Sequence, residues 1–150
     1  MHMPAPRKRL LKARIKIPNS PEAVMHFEAF VRSLEFLSER EKMPLLVAGD
    51  EVVDNLLNHG EVGRQGIRAM VRKRASGISL GLFVQSHKRF AQFAACLDED
   101  PPSGPRYNPQ LRRWHGLGLT MCRNLARSVH YRAGERMDRV FLEFPLSPVR

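Results

Sequence analysis

The sequence has few cysteines and no long apolar segment. Its two cysteines, Cys96 and Cys122, show neither a CxxC spacing nor a disulfide framework, which predicts two thiols in a reducing cytoplasm. No apolar run approaches the roughly 20 residues of a membrane helix, and the charged N-terminal stretch lacks the apolar core of a secretory signal. We therefore expect a cytoplasmic protein without a membrane-spanning segment.

Acidic residues are missing from two stretches of the chain. Residues 1–20 hold six basic and no acidic side chains, residues 64–97 hold seven basic and none acidic, and residues 21–63 hold three basic and nine acidic. This uneven net charge of +10 should attract phosphate groups or an acidic protein. Nucleic acid is not expected as the principal ligand, because the arginines are scattered, Trp and Tyr are few, and no zinc-finger or RRM pattern occurs.

The hydrophobic pattern predicts alternating strands and amphipathic helices. Apolar residues at intervals of three and four predict a first helix, with Ser20 as N-cap and Pro21 at the first helical position. A capping-box pattern at residues 38–41, or Pro44 in the first turn, marks the start of a second helix that ends near residues 59–60. The other predicted elements are helices at residues 67–72 and 119–129, and strands at residues 10–17, 78–84, 90–97 and 139–144.

The order of these elements predicts the fold class. The strand at residues 10–17 is expected at a sheet edge, and a turn at residues 86–89 is expected to pair the strands at 78–84 and 90–97. Helices that cluster early and strands joined by a tight turn favour the α+β class. We predict a two-layer α/β sandwich, with a mixed sheet and helices packed on one face, formed by one domain over residues 1–150.

Three polar residues on the second helix are candidates for chemistry. Glu51, Asn55 and His59 follow one another at intervals of four, so they share one slanted stripe of the helix. An amide oxygen can bind a hard cation such as Mg²⁺, and a carboxylate one turn away can act as a base. The same spacing also fits the ordinary polar face of an amphipathic helix.

Two further features could contribute to a binding site. Asp98 ends an apolar strand, where its carboxylate could accept a hydrogen bond from an exocyclic amine such as that of adenine, or could simply begin a turn. Gly116 and Gly118 precede a predicted helix, and such glycines let a backbone approach a polyphosphate at the helix N-terminus or form a tight turn. The segment is neither a Walker A loop nor a dinucleotide fingerprint.

The order and spacing of these features resemble the GHKL ATPase superfamily. Residues 45–60, which end in Glu-Val-Val-Asp-Asn-Leu-Leu-Asn-His-Gly, are similar to its N box, and Gly-Leu-Gly-Leu-Thr-Met at residues 116–121 is similar to its second glycine box. Within the superfamily, the short chain resembles the anti-sigma factor serine kinases of bacteria, the RsbW and SpoIIAB type. The resemblance covers nearly the whole chain.

The resemblance implies an ATP and Mg²⁺ site and a role for each matching residue. Glu51 would act as the catalytic base and Asn55 as the Mg²⁺ ligand, while Asp98 would hold the adenine amine. The glycine box would lie against the phosphates, with Leu119 beginning the following helix. Basic residues of the adjacent loop could screen negative charge at the triphosphate; these are Arg106, Arg112 and Arg113.

The same resemblance implies partners. The chain would be a serine/threonine protein kinase that phosphorylates a STAS-like anti-anti-sigma protein and sequesters a sigma factor, and it would form a homodimer with the first strand as a candidate contact. One departure favours an alternative: Asp100 stands where the first glycine box has Gly. The chain could then be a degenerate GHKL domain that acts only by binding a protein. A detached histidine-kinase ATPase domain is a further alternative.

Overall fold

The computed structural model describes residues 11–59, 62–85, 106–108, 113–115, 124–132 and 137–146. In chain order, the elements are β1 (Leu11–Ile17), α1 (Ala23–Arg32), α2 (Glu39–His59), β2 (Ile67–Arg74), β3 (Gly77–Gln85), β4 (Arg106–Asn108), β5 (Arg113–His115), β6 (Ser128–Arg132) and β7 (Met137–Phe144). Five strands form one sheet in the order β1-β2-β3-β7-β6, and β4 pairs with β5 separately. The α+β class is confirmed. All pairings among the described strands are antiparallel, so the described part of the sheet is antiparallel, whereas a mixed sheet was predicted.

Alternating side chains give the five-stranded sheet an apolar inner face. Ile67, Ala69 and Val71 of β2 are buried, and the β3 partners of Ala69 and Val71 are the buried Leu82 and Leu80. Leu80 on β3 reaches towards Gly49 on α2, which places the helix layer over this inner face. The buried core joins the two layers through the following helical residues: Phe27, Phe30, Val31, Leu45, Ala48, Val52, Val53 and Leu56.

The helix starts are only partly as predicted. Ser38 and Glu41 form the expected capping box, since the Ser38 N–H donates to Glu41 Oε1 at 2.9 Å and the Glu41 N–H donates to Ser38 Oγ at 3.2 Å. Pro44 therefore lies inside α2 and does not mark its start. The first helix begins at Ala23 with Glu22 as N-cap. Ser20 instead accepts the Ala23 N–H through its backbone carbonyl, which makes the predicted N-cap part of the preceding turn.

A buried ion pair fixes the first turn of α2 to the sheet. The Lys73 Nζ on β2 donates to Glu41 Oε1 at 2.9 Å and to the Phe36 carbonyl at 3.2 Å. Burial opposes ionisation of Glu41, but hydrogen bonds from Ser38 and Lys73 outweigh it, so the pKa of this carboxyl lies below its ordinary value. This contact helps to set the position of the helix that carries the predicted N box.

In the part of the chain that the structure describes, one predicted helix is wrong and a second ends earlier than predicted. Residues 67–72 belong to β2, because their buried side chains alternate and pair with β3. Of residues 119–129, Asn124 and Leu125 are helical, whereas Ser128 begins β6. Val129 and Tyr131 alternate there and pair with Leu142 and Val140 of β7. Residues 119–123 lie outside the described residues.

The predicted strands at residues 10–17, 78–84 and 139–144 correspond to β1, β3 and β7, and β1 lies at a sheet edge as expected. The predicted partner of β3 is wrong, because β2 and β7 pair with its two sides. The predicted strand at 90–97 and the turn before it lie outside the described residues.

Candidate functional site

The second helix brings together two of the predicted site residues. The Asn55 Nδ2 donates to Glu51 Oε1 at 3.2 Å, and both side chains are half-buried. They stand one turn apart beside Val52 and Leu56, which are fully buried in the core. The apolar residues therefore fix the rotation of α2, and the polar pair is held at the border between the core and solvent.

The direction of this hydrogen bond orients the amide. Because Nδ2 of Asn55 is the donor to Glu51, the Oδ1 atom of the amide is turned away from the carboxylate. An amide oxygen is a ligand type that suits Mg²⁺, and this metal is commonly held by one or two protein oxygens together with substrate phosphates. Among the described residues, no group of three or more His, Cys, Asp or Glu side chains could hold a metal ion. The Oδ1 atom of Asn55 would be the ligand of a metal that phosphate also holds, and the bond to Glu51 keeps the amide in that orientation.

A second pair of the same chemistry lies nearer to solvent. The Asn58 Nδ2 donates to Asp54 Oδ1 at 3.1 Å, again between residues four apart on α2. Asn58 is exposed and Asn55 is half-buried. The two pairs differ mainly in their position on the helix, so the outer pair provides a matched reference for the inner one.

Asp50 is a candidate residue that the sequence analysis missed. Burial raises the pKa of Asp50 to about 8, together with a hydrogen bond that its protonated form donates to Glu28 on α1 and charge repulsion by Glu28, while Arg32 opposes the shift. A shallow groove of about 450 Å³ next to Asp50 is also lined by Val24, Val47, Glu51 and Asp54. This groove is acidic, and the run of acidic residues at 50, 51 and 54 was its signal in the sequence.

The remaining predicted site residues are not tested by the structure. Asp98, Arg112, Gly116, Gly118 and Leu119 lie outside the described residues, as does Asp100. Arg113 belongs to β5, where its backbone pairs with Asn108, and Arg106 pairs with His115 in the same small sheet. His59 is the last residue of α2, as expected of the helix end. The assignments of these residues to ATP remain predictions.

The fold can be compared with that of a solved protein. The described helices and five-stranded sheet define a two-layer α+β protein, the class that the resemblance to GHKL proteins implied. The crystal structure of the RsbU and RsbW domains of Rv1364c from Mycobacterium tuberculosis is similar to this chain, with a TM-score of 0.61 and 13% sequence identity. The match covers 90% of this chain and 32% of that chain, so this chain spans about a third of its neighbour's length.

At this identity the likeness establishes a relation of fold. No family model and no curated protein sequence matches the chain. In the part of the chain that the structure describes, no helix has the length and apolar character needed to cross a membrane.

Proposed function

We propose that this chain is an ATP-binding anti-sigma factor with serine-protein kinase activity, formed as one domain over residues 1–150. The observation that carries the proposal is the Glu51–Asn55 pair, held at 3.2 Å on α2 within a fold similar to that of a protein with an RsbW domain. The pair occupies the positions at which the sequence resembles an N box. The fold, the motif and the local geometry therefore support the same assignment.

The proposed chemistry gives each residue of the pair a separate task. Magnesium-bound ATP would supply the phosphoryl group, and Oδ1 of Asn55 would be a ligand of the metal. Glu51 would take the proton from the attacking serine hydroxyl as the phosphoryl group passes to that oxygen and ADP leaves. The hydrogen bond from Asn55 holds the Glu51 carboxylate in place, which favours a fixed orientation of the base.

The proposed partners follow from the same assignment. The phosphoacceptor would be a STAS-like anti-anti-sigma protein, and the added phosphate charge would weaken its complex with this chain. A sigma factor would be the protein that the chain sequesters in the cytoplasm. A homodimer is also proposed, and the edge strand β1 has one side without a partner strand among the described residues, which supports it as the contact.

Calorimetric titration with Mg²⁺-ATP tests the proposal. We expect micromolar binding, weakened about tenfold or more by Asn55→Ala because a ligand of the bound metal is lost. Asn58→Ala is the matched control, because it removes the equivalent hydrogen bond from Asn58 to Asp54 nearer to solvent. The affinity of this variant for Mg²⁺-ATP should equal that of the parent protein. Asp98→Asn should also abolish binding. An absence of binding to both ATP and ADP would overturn the nucleotide assignment.

The acidic groove favours a second candidate function. Glu51 and Asp54 lie close together beside Asp50, which keeps its proton below about pH 8, and the negative charge of Glu51 and Asp54 repels a triphosphate unless metal or arginine screens it. A chain without nucleotide binding would act by protein contact alone, as a degenerate GHKL domain. In that case, Asn55→Ala would leave the capture of a sigma factor unchanged, whereas the kinase assignment requires it to abolish phosphorylation of a STAS-like partner.

A further inference from the structure

The outer face of the five-stranded sheet, opposite the helices, concentrates basic side chains. Residues that alternate with the buried core residues of each strand share this face, and the antiparallel register aligns them across the strands. The strands β1 and β2 contribute six cations to it: Lys12, Arg14, Lys16, Arg68, Arg72 and Arg74. The three cations of β1 stand at every second position, about 6.7 Å apart, as do Arg72 and Arg74 on β2, whereas Arg68 lies four residues before Arg72.

One row of paired residues crosses the whole sheet. Lys16 pairs with Arg68, Arg68 with Phe83, Phe83 with Arg139, and Arg139 with Arg132. Neighbouring strands are about 4.8 Å apart, so four cations flank one phenyl ring over about 19 Å. Each of these four cations is exposed. The row forms a continuous basic band across strands that are far apart in the sequence.

Very little negative charge offsets this band. Glu143 is the one acidic residue that the register places on the outer face among the described strands. Partial desolvation, together with repulsion from Arg14, Arg72 and Arg74, lowers the pKa of Lys12. Cations that repel one another in this way favour a polyanion, which would relieve the repulsion by supplying many negative charges at once.

Aromatic rings occupy the centre of the same face. Phe83 and Phe141 pack edge to face, with ring centroids 5.8 Å apart and an interplanar angle of 87°. Both rings are half-buried and lie over Gly81, where a Cβ atom would be within 3.3 Å of each ring. A groove of about 550 Å³ runs beside Phe83 and is lined by Met70 and Met137 as well as by cations of β1 and β2.

We propose that this outer face binds single-stranded nucleic acid. Proteins that bind single strands combine a basic surface along the backbone with aromatic rings on which unpaired bases stack, and this face has both. Six of its eight Lys and Arg residues are arginines, whose planar guanidinium groups bind phosphate in a bidentate manner and stack on bases. An acidic protein would satisfy the charge of the face as well, but a row of arginines around central rings is the combination that single-strand binding proteins share.

Fluorescence anisotropy of a labelled oligothymidylate of about twelve nucleotides, titrated with the full chain at several salt concentrations, tests this proposal. The charge variant is the double substitution Arg68→Gln with Arg139→Gln. Its matched control is Arg32→Gln with Arg40→Gln, which removes the same charge from exposed positions on the helix layer. The ring variant is Phe83→Leu, and circular dichroism confirms that each variant is folded.

We expect the charge variant to reduce the slope of log affinity against log salt by about 1.4, since each lost phosphate contact contributes about 0.7 for single strands. The control variant should keep the parent slope. Phe83→Leu should weaken binding by about fivefold or more with little change in slope, because stacking is lost and charge is kept. Should Phe83→Leu unfold the protein, a Phe141→Leu variant measures the same contribution from the second ring.

Three outcomes would overturn the proposal. Equal effects of the charge variant and its control would show attraction by net charge alone. An unchanged affinity in the folded ring variants would show that bases do not stack on the face. Equal or tighter binding of polyglutamate, in competition with the oligonucleotide, would assign the face to an acidic protein.

Discussion

The buried carboxyl of Asp50 predicts an unusual dependence of stability on pH. Its pKa is raised to about 8 in the folded protein, from an ordinary value of 3.8. Between these values the unfolded chain has lost the Asp50 proton while the folded chain keeps it. The folded state therefore binds more protons, and the contribution of Asp50 to the free energy of unfolding falls as pH rises from about 4 to about 8.

The size of the effect follows from the same values. If the whole difference between the folded and the ordinary pKa of Asp50 acted on stability, the free energy of unfolding would be lower by about 5 kcal/mol at pH 8. Asp50 is only half-buried, so solvent screening reduces this amount, and we expect a change of about 2 kcal/mol between pH 5 and pH 8. The substitution Asp50→Asn removes the titrating group. It should stabilise the protein relative to the parent, and by more at pH 8 than at pH 5.

Thermal unfolding at a series of pH values measures this difference. The Tm of Asp50→Asn minus that of the parent should increase by about 4–8 °C from pH 5 to pH 8 for a domain of this size. Glu35→Gln, which removes an exposed carboxylate just after α1, should show no such trend. A difference that stays constant or falls with pH would refute the reasoning, as would an NMR titration that finds the Asp50 carboxyl ionising near pH 4.

Three other predictions concern contacts that hold the fold together. In chemical denaturation, Glu41→Gln should lower the free energy of unfolding by about 2 kcal/mol, because it leaves the partly buried Lys73 without its ion pair. Glu39→Gln, which changes a side chain that is 90% exposed, should alter it by less than about 1 kcal/mol. Gly49→Ala should destabilise the protein by about 1 kcal/mol or more despite the better helix propensity of Ala, because the added Cβ atom would overlap the buried Phe27 ring. Met43→Ala, at an exposed position of the same helix, is the control. Equal melting curves of the two variants would contradict the packing argument. Burial and the neighbouring Asp138 raise the pKa of Tyr131 to about 12. In a Tyr107→Phe variant, Tyr131 is the one remaining tyrosine, and its phenol should titrate near pH 12 when followed by ultraviolet absorbance. A midpoint near pH 10 would contradict the burial of Tyr131 beside Asp138.

Local signals predicted the elements that local interactions determine. The capping box of α2 lies within four consecutive residues, and its two hydrogen bonds form as the pattern indicates. Strands β1, β3 and β7 have clear alternation, and the structure confirms them. In such segments the hydrophobic period and the final packing favour the same conformation.

The missed strands are segments in which two periods compete. Ile67, Met70 and Val71 have helical spacing, while Ile67, Ala69 and Val71 alternate, and only pairing with β1 and β3 decides between the two. Val129 also continues the helical spacing from Leu125, but its pairing with Leu142 places it in β6. Tertiary contacts over long sequence separations determined both outcomes, and a short sequence window does not contain them.

The candidate sites show the same contrast. Glu51 and Asn55 were predictable as neighbours because helix geometry alone brings residues four apart together. The pKa of Asp50 depends on Glu28 of another helix, so its perturbation required the packing of α1 against α2. The basic band of the outer face joins cations from four strands, which is why arginines that seem scattered in the sequence form one surface.

The fold separates the two kinds of charge by its own architecture. The acidic groove lies on the helix layer, beside residues 50, 51 and 54, while the basic band lies on the opposite face of the sheet. Exposed charges on the two faces are separated by both layers, and salt screens exposed charges beyond a Debye length of about 8 Å at physiological ionic strength. Electrostatics alone therefore couples the two surfaces weakly. Communication between a nucleotide at α2 and a polyanion on the outer face would have to pass through packing. Leu80 on β3 lies close to Gly49 on α2, and this is a place where the sheet and the helix could influence each other.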